Sequence, residues 1–88
     1  MAWRIEYAHS VRKSVEQLDP PVRRRIRDYL ENKVAATENP RRLGKPLKGE
    51  LSGLWRYRIG DFRVACELQD QTLVVLVFRT GHPKEVYD

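Results

Sequence analysis

The run Leu54-Trp55-Arg56-Tyr57-Arg58-Ile59-Gly60-Asp61-Phe62-Arg63-Val64 decides the fold. Trp55, Tyr57 and Ile59 alternate with Arg56 and Arg58, the period of two that marks a strand with one dry face and one wet face. Gly60-Asp61 reads as a two-residue turn, so the strand Leu54 to Ile59 returns as Phe62 to Leu68 in a hairpin. Ile59 then pairs with Phe62, and Arg58 faces Arg63 across the ladder. Arg56 lies on the same side, about 7 Å further along. Trp55, Tyr57, Ile59, Phe62, Val64 and Cys66 fall on the opposite side, where they can pack on helices.

Downstream, Leu73 to Phe78 is apolar on both faces, as a central strand requires. Upstream, residues 38 to 53 carry Pro40, Gly44, Pro46, Gly49 and Gly53, which break any helix. The same segment holds Arg41, Arg42, Lys45 and Lys48 against Glu38 and Glu50. It reads as a basic loop, and a loop this long in a small domain points to function. Before it, Val22, Ile26, Tyr29, Leu30 and Val34 line one helix face, with Asp19 as cap and Pro20 in the first turn. Val11, Val15 and Leu18 form the stripe of a shorter helix after a possible cap at Ser10. Trp3, Ile5 and Tyr7 alternate as an N-terminal strand. The expected architecture is α+β in a single domain, residues 1–88. An N-terminal strand and a helical hairpin precede a three-stranded antiparallel meander, with the helices against one face of an antiparallel sheet.

Composition narrows the function classes. Lys and Arg total 17 against 12 Asp and Glu, for a net charge of +5. That balance suits a polyanionic partner, nucleic acid or an acidic protein. No stretch approaches the ~20 apolar residues of a membrane span, and MAWRIEYAHS lacks an apolar run of signal-peptide type. A cytoplasmic location away from membranes is the expectation. The one cysteine, Cys66, and two histidines, His9 and His82, offer no metal site, and no cofactor is expected. Cys66 reads as a buried thiol. A Gly-rich phosphate loop, a nucleophile elbow, HExxH and acidic residues at metal-binding spacing are all missing. Any nuclease chemistry here must therefore use the 2′-OH of RNA.

The arginine cluster has two readings from the residues alone. Like charges directly opposed weaken a sheet, so Arg56, Arg58 and Arg63 form either a wet basic surface, paired with Glu67 or Glu85, or a site for an anion. The guanidinium fork suits phosphate, and a cluster that opposes stability but would grip a phosphodiester favours the second. Histidine is the side chain whose unperturbed pKa lies near neutrality, so His82 reads as a general acid or base, or as an exposed turn residue. Tyr87 reads as a base-stacking aromatic or as a ring closing the core edge.

The chain resembles the RelE toxins of the RelE/ParE superfamily along nearly its whole length. Lys45-Pro46-Leu47-Lys48-Gly49, the run 54–64, and Gly81-His82-Pro83-Lys84-Glu85-Val86-Tyr87 carry the resemblance. It implies a microbial RNase-like fold and the toxin of a type II toxin–antitoxin system. The implied activity is a metal-independent, ribosome-dependent endoribonuclease that cuts messenger RNA in the ribosomal A site, against 16S ribosomal RNA, by in-line attack of the 2′-OH. It also implies a cognate antitoxin with an amphipathic or acidic segment, and operator DNA bound only through that antitoxin. Arg56, Arg58, Arg63, Tyr87 and His82 take the catalytic positions. Arg41, Arg42, Lys45, Lys48, Arg79 and Lys84 take RNA or ribosome contacts. Some relatives carry lysines on the strand. The arginines here do not deprotonate, which passes the general-base role to His82, Tyr87 or the ribosome. Pro83 follows the Gly-His pair where the family often has a basic residue. The alternative within the superfamily is a ParE-like toxin that inhibits DNA gyrase by binding, without catalysis.

Overall fold

The computed structural model describes residues 3–81, the side chains of Phe78 and Arg79 excepted. Strand β1 (Arg4–Tyr7) leads into α1 (His9–Glu16) and α2 (Pro20–Tyr29), which continues as a π-helical turn over Leu30–Val34. Strand β2 (Lys45–Pro46) follows, then β3 (Trp55–Ile59), β4 (Phe62–Gln69) and β5 (Val74–Gly81). Short 3₁₀ turns occupy Pro40–Leu43 and Gly49–Leu51.

The sheet has five strands in the order β1-β5-β4-β3-β2. The β3–β4 hairpin has the expected register, with Ile59 opposite Phe62 and Arg58 opposite Arg63. Gly60 sits at φ +60° while Asp61 does not have positive φ, the sign pattern of a type II′ turn, which matches the twist of the flanking strands. The meander β3-β4-β5 is antiparallel, but the sheet as a whole is mixed: β1 runs parallel to β5, Arg4 opposite Val74 through Tyr7 opposite Val77. The doubly apolar β5 needs a neighbour on each side, and β1 fills the second edge. Alternation within β1 says nothing about its partner's direction.

The last strand also runs three residues beyond Phe78. The register with β4 shifts between Ala65 and Cys66, since Ala65 pairs with Arg79 and Cys66 with Val77. Phe78 is thus the extra residue of a β-bulge, a device that resets which face later residues occupy.

The helices cover one face of the sheet. Val11, Ile26, Leu30 and Val34 pack on Tyr57, Ile59, Val64, Cys66, Val75 and Val77 in one core. Ala8, not Ser10, occupies the α1 cap position. Asp19 caps α2 by position, without a side-chain hydrogen bond, and Pro20 opens the helix. The Arg23 Nη1 donates to the Glu16 carbonyl at 3.2 Å, supplying a partner for the end of α1. The π turn arises where Ala35 N–H bonds the Leu30 carbonyl at 2.8 Å, five residues back, which lets Leu30 and Val34 both bury fully. Cys66 is fully buried, and burial pushes its thiol pKa up. No helix among the described residues is long and apolar enough to cross a membrane.

Candidate nucleic-acid interface

The sheet face away from the helices carries the charge. Cross-strand partners share a face, so Arg58 and Arg63 stand side by side, with Arg56 two residues away on the same side. Arg58 is exposed; Arg56 and Arg63 are half-buried. β2 extends the arrangement, because Lys45 is the ladder partner of Arg56. One row across the sheet therefore reads Lys45, Arg56, Ala65, and the next reads Arg58, Arg63, Gly81. Arg79 pairs with Ala65 in the first row.

The electrostatics agree with the register. Desolvation, then the like charges of Arg58 and Arg56, hold the Arg63 guanidinium below its ordinary pKa, with Asp61 opposing. The Arg63 Nε is buried without a hydrogen-bond acceptor, and its Nη1 reaches the Phe62 carbonyl only at 3.4 Å. Glu67, the described acid offered by sequence as a partner, instead accepts from Gln69 Nε2 at 2.7 Å. Arg63 is thus a half-buried cation with a donor to spare, and a donor left unmet costs stability.

The basic segment is not the free loop that its glycines and prolines suggest. Leu47, with Leu51 and Leu54 against it, packs on the fully buried Ala65 and forms a small second core on the charged face. Leu47 N–H bonds the Leu54 carbonyl at 2.9 Å and closes the segment on itself. Gly44 allows the close approach: a Cβ there would lie 2.9 Å from both the Arg56 carbonyl and Tyr57 Cε1. Tyr57 hydroxyl donates to the Pro40 carbonyl at 2.9 Å from inside the core. Lys45, exposed, is held beside Arg56, and Lys48 is exposed further along the same segment. The small Ala65 within an otherwise large-residue strand was the available sign that something packs there.

Arg41 stands apart. Its Nη1 and Nη2 grip both oxygens of Asp70 at 2.9 and 2.7 Å, and the guanidinium lies 5.8 Å over the Trp55 ring. Asp70 directly follows β4, seven residues beyond Arg63, roughly 23 Å of extended chain. Arg41 therefore ties the loop to the far end of the hairpin and is not brought to the cluster. Arg42 is exposed on the same 3₁₀ turn. His82, Lys84, Glu85 and Tyr87 lie outside the described residues, as does the Arg79 side chain.

The structure thus presents three arginines and Lys45 on one ledge, beside the apolar cluster of Leu47, Leu51, Leu54 and Ala65. Preorganised donors of this kind stabilise a phosphate on which charge develops.

Comparisons with known proteins identify the family. A family model described as ParE toxin of the type II toxin–antitoxin system, parDE, matches residues 5–87. Toxin RelG of Mycobacterium tuberculosis is 24% identical over 87 residues, spanning 99% of this chain and 98% of that protein. Toxin RelE of the same organism is 53% identical over 32 residues, 36% of this chain and 33% of its own length. Among solved structures, the RelBE2 toxin–antitoxin complex from Mycobacterium tuberculosis contains a chain with TM-score 0.83 at 23% identity, covering 93% of this chain and 92% of that one. A mutant of E. coli toxin RelE in the free state matches with TM-score 0.76 at 21% identity, covering 97% and 87%.

Proposed function

Because the chain belongs to the ParE toxin family of type II toxin–antitoxin systems, within the RelE/ParE superfamily, we propose that it acts as an endoribonuclease that cuts messenger RNA on the ribosome. The observation that carries this reading is Arg63. It faces Arg58, has Arg56 beside it, and keeps a buried Nε without an acceptor. A toxin that acted only by binding through another surface would gain nothing from that arrangement.

In this mechanism the RNA supplies its own nucleophile. The 2′-OH attacks the adjacent phosphorus in line, the P–O5′ bond breaks, and the products are a 2′,3′-cyclic phosphate and a free 5′-OH. Arg56 and Arg63 stabilise the charge that grows on the phosphate oxygens, and Arg58, on the same strand as Arg56 and opposite Arg63, holds the phosphate. His82, Tyr87 or the ribosome moves the proton, since guanidinium groups do not deprotonate at neutral pH. Tyr87 also stacks on a base and so favours in-line geometry. Arg42, Lys45 and Lys48, with Arg79 and Lys84, contact messenger RNA or 16S ribosomal RNA in the A site. Arg41 is occupied by Asp70 and adds little net charge.

The proposed partner is a cognate antitoxin with an amphipathic or acidic segment, operator DNA being reached only through it. Some solved neighbours are complexes of RelE with RelB, from Pyrococcus horikoshii and Methanococcus jannaschii among others. The family-model match to ParE toxin favours a second reading, inhibition of DNA gyrase by binding.

A purified translation system separates the two. Ribosome-dependent cuts with 5′-OH ends are the expected result, alongside unimpaired supercoiling by gyrase. Intact messenger RNA with blocked supercoiling would establish the alternative.

A further inference from the structure

A second set of cations stands where β3 loses its outer neighbour. β2 pairs only with Trp55 and Arg56, so the edge from Tyr57 to Ile59 faces α2 instead of a strand. A groove of about 380 Å³ opens there, lined by Arg25, Asp28, Tyr29, Lys33, Arg58 and Gly60 among others. Arg25, Tyr29 and Lys33 recur every four residues, which places them along one face of the α2 and π-turn helix.

The turn glycine shapes this groove. A Cβ at Gly60 would lie 2.9 Å from Arg25 Nη1 and 3.0 Å from its Cζ, so the guanidinium rests on the bare turn backbone. Asp28, the one acid among the lining residues, has its Oδ1 3.9 Å from Arg27 Nε. Three cations thus stand against one acid, beside a half-buried tyrosine ring. Arg58 belongs both to this groove and to the arginine ledge, so the two are continuous.

We propose that this groove is a subsite for a nucleotide flanking the cleaved linkage of the same single-stranded RNA. Arg25, Lys33 and Arg58 take its phosphate and Tyr29 offers a face to its base. The inference rests on the RNA-cleavage reading above. An amphipathic protein segment needs a row of apolar anchors, which a groove of cations around one tyrosine does not supply. Cations beside an aromatic face suit a single strand.

The test is a length series of oligoribonucleotides, two to eight nucleotides, 2′-O-methylated throughout so that none can be cut. Binding is followed by fluorescence anisotropy over a salt series for the natural protein, the double variant Arg25→Gln/Lys33→Gln, and Arg63→Ala. The double variant should bind the dinucleotide like the natural protein. It should lose about tenfold on the octamer, with a salt slope smaller by roughly one phosphate. Arg63→Ala should weaken binding at every length. Both groove positions are exposed, so unchanged melting temperature is expected and checks the fold. Octamer binding equal to that of the natural protein would overturn the subsite while leaving the RNA reading in place. So would an equal loss on an octaglutamate peptide, which would make the groove a general docking surface for acids. Binding by Arg63→Ala that matches the natural protein at all lengths would remove the RNA reading itself.

Discussion

At one end of the β3–β4 hairpin Arg41 places two nitrogens on Asp70, at 2.9 and 2.7 Å, and lies over Trp55. At the other end Arg63 faces Arg58, and its Nε meets no acceptor. The same chemistry is satisfied in one place and withheld in the other. The fold can therefore pair an arginine across 29 residues of sequence, and the Arg63 Nε left without an acceptor is not a failure of that ability. Positions that violate local stability rules mark functional sites. On the proposed reading, the ledge is arranged for an anion, which would meet the Arg63 Nε where no described residue does.

The largest effect should come from giving the poor end a partner. Arg58→Glu puts an opposite charge directly across from Arg63, a favourable cross-strand pair. Melting temperature should rise while cleavage in a translation assay falls on the order of 100-fold. A variant that is both more stable and fully active would mean that the ledge is only a surface. Next in size is Leu47→Ala. Removing this side chain, 4% exposed, from the small core on Ala65 should cost about 2 kcal/mol in urea unfolding. Cleavage should fall on the order of tenfold, because Lys45 and Lys48 lose their fixed positions.

Tyr57→Phe is smaller and separates architecture from chemistry. It leaves the Pro40 carbonyl without its buried donor, for a loss of about 1–2 kcal/mol. Per folded molecule, activity should be close to natural. The smallest effect belongs to Asp70→Asn. Hydrogen bonds from Arg41 hold the Asp70 carboxyl below its ordinary pKa. That contribution is present above the unfolded carboxylate pKa, about 3.9, and is lost as pH falls through the lower folded value. The natural protein should exceed Asp70→Asn slightly in melting temperature at pH 7, and the gap should close in acid or in about 1 M salt. A gap that widened in acid would contradict the pairing.

Much of this contrast was legible in the residues. A two-residue Gly60-Asp61 turn fixes register, and register places Arg58 opposite Arg63 with Arg56 alongside. Period-two alternation sends Tyr57 and Ile59 to the helices, and the Val22-Ile26-Leu30-Val34 stripe tells them where to meet. Features that depend on distant partners were not legible. Nothing near Arg41 announces Asp70. Leu47, Leu51 and Leu54 sit among glycines, prolines and lysines, and their shared contact, Ala65, lies on another strand. Residues 73 to 78 are apolar on both faces, so they lack the alternation that would expose the Phe78 bulge. Parallel pairing of β1 with β5 is a property of sheet order, which local pattern does not encode. Arg25 reads as one more charge on a wet helix face until the Gly60 turn is seen beneath it.

The most direct test of the ledge is Arg63→Ala, assayed for ribosome-dependent messenger RNA cleavage and for melting temperature in the same preparation. Removing the guanidinium relieves a repulsion with Arg58 and Arg56, so melting temperature should hold or rise while the cleavage rate drops at least about 100-fold. Cleavage at the natural rate by a folded Arg63→Ala protein would contradict the account.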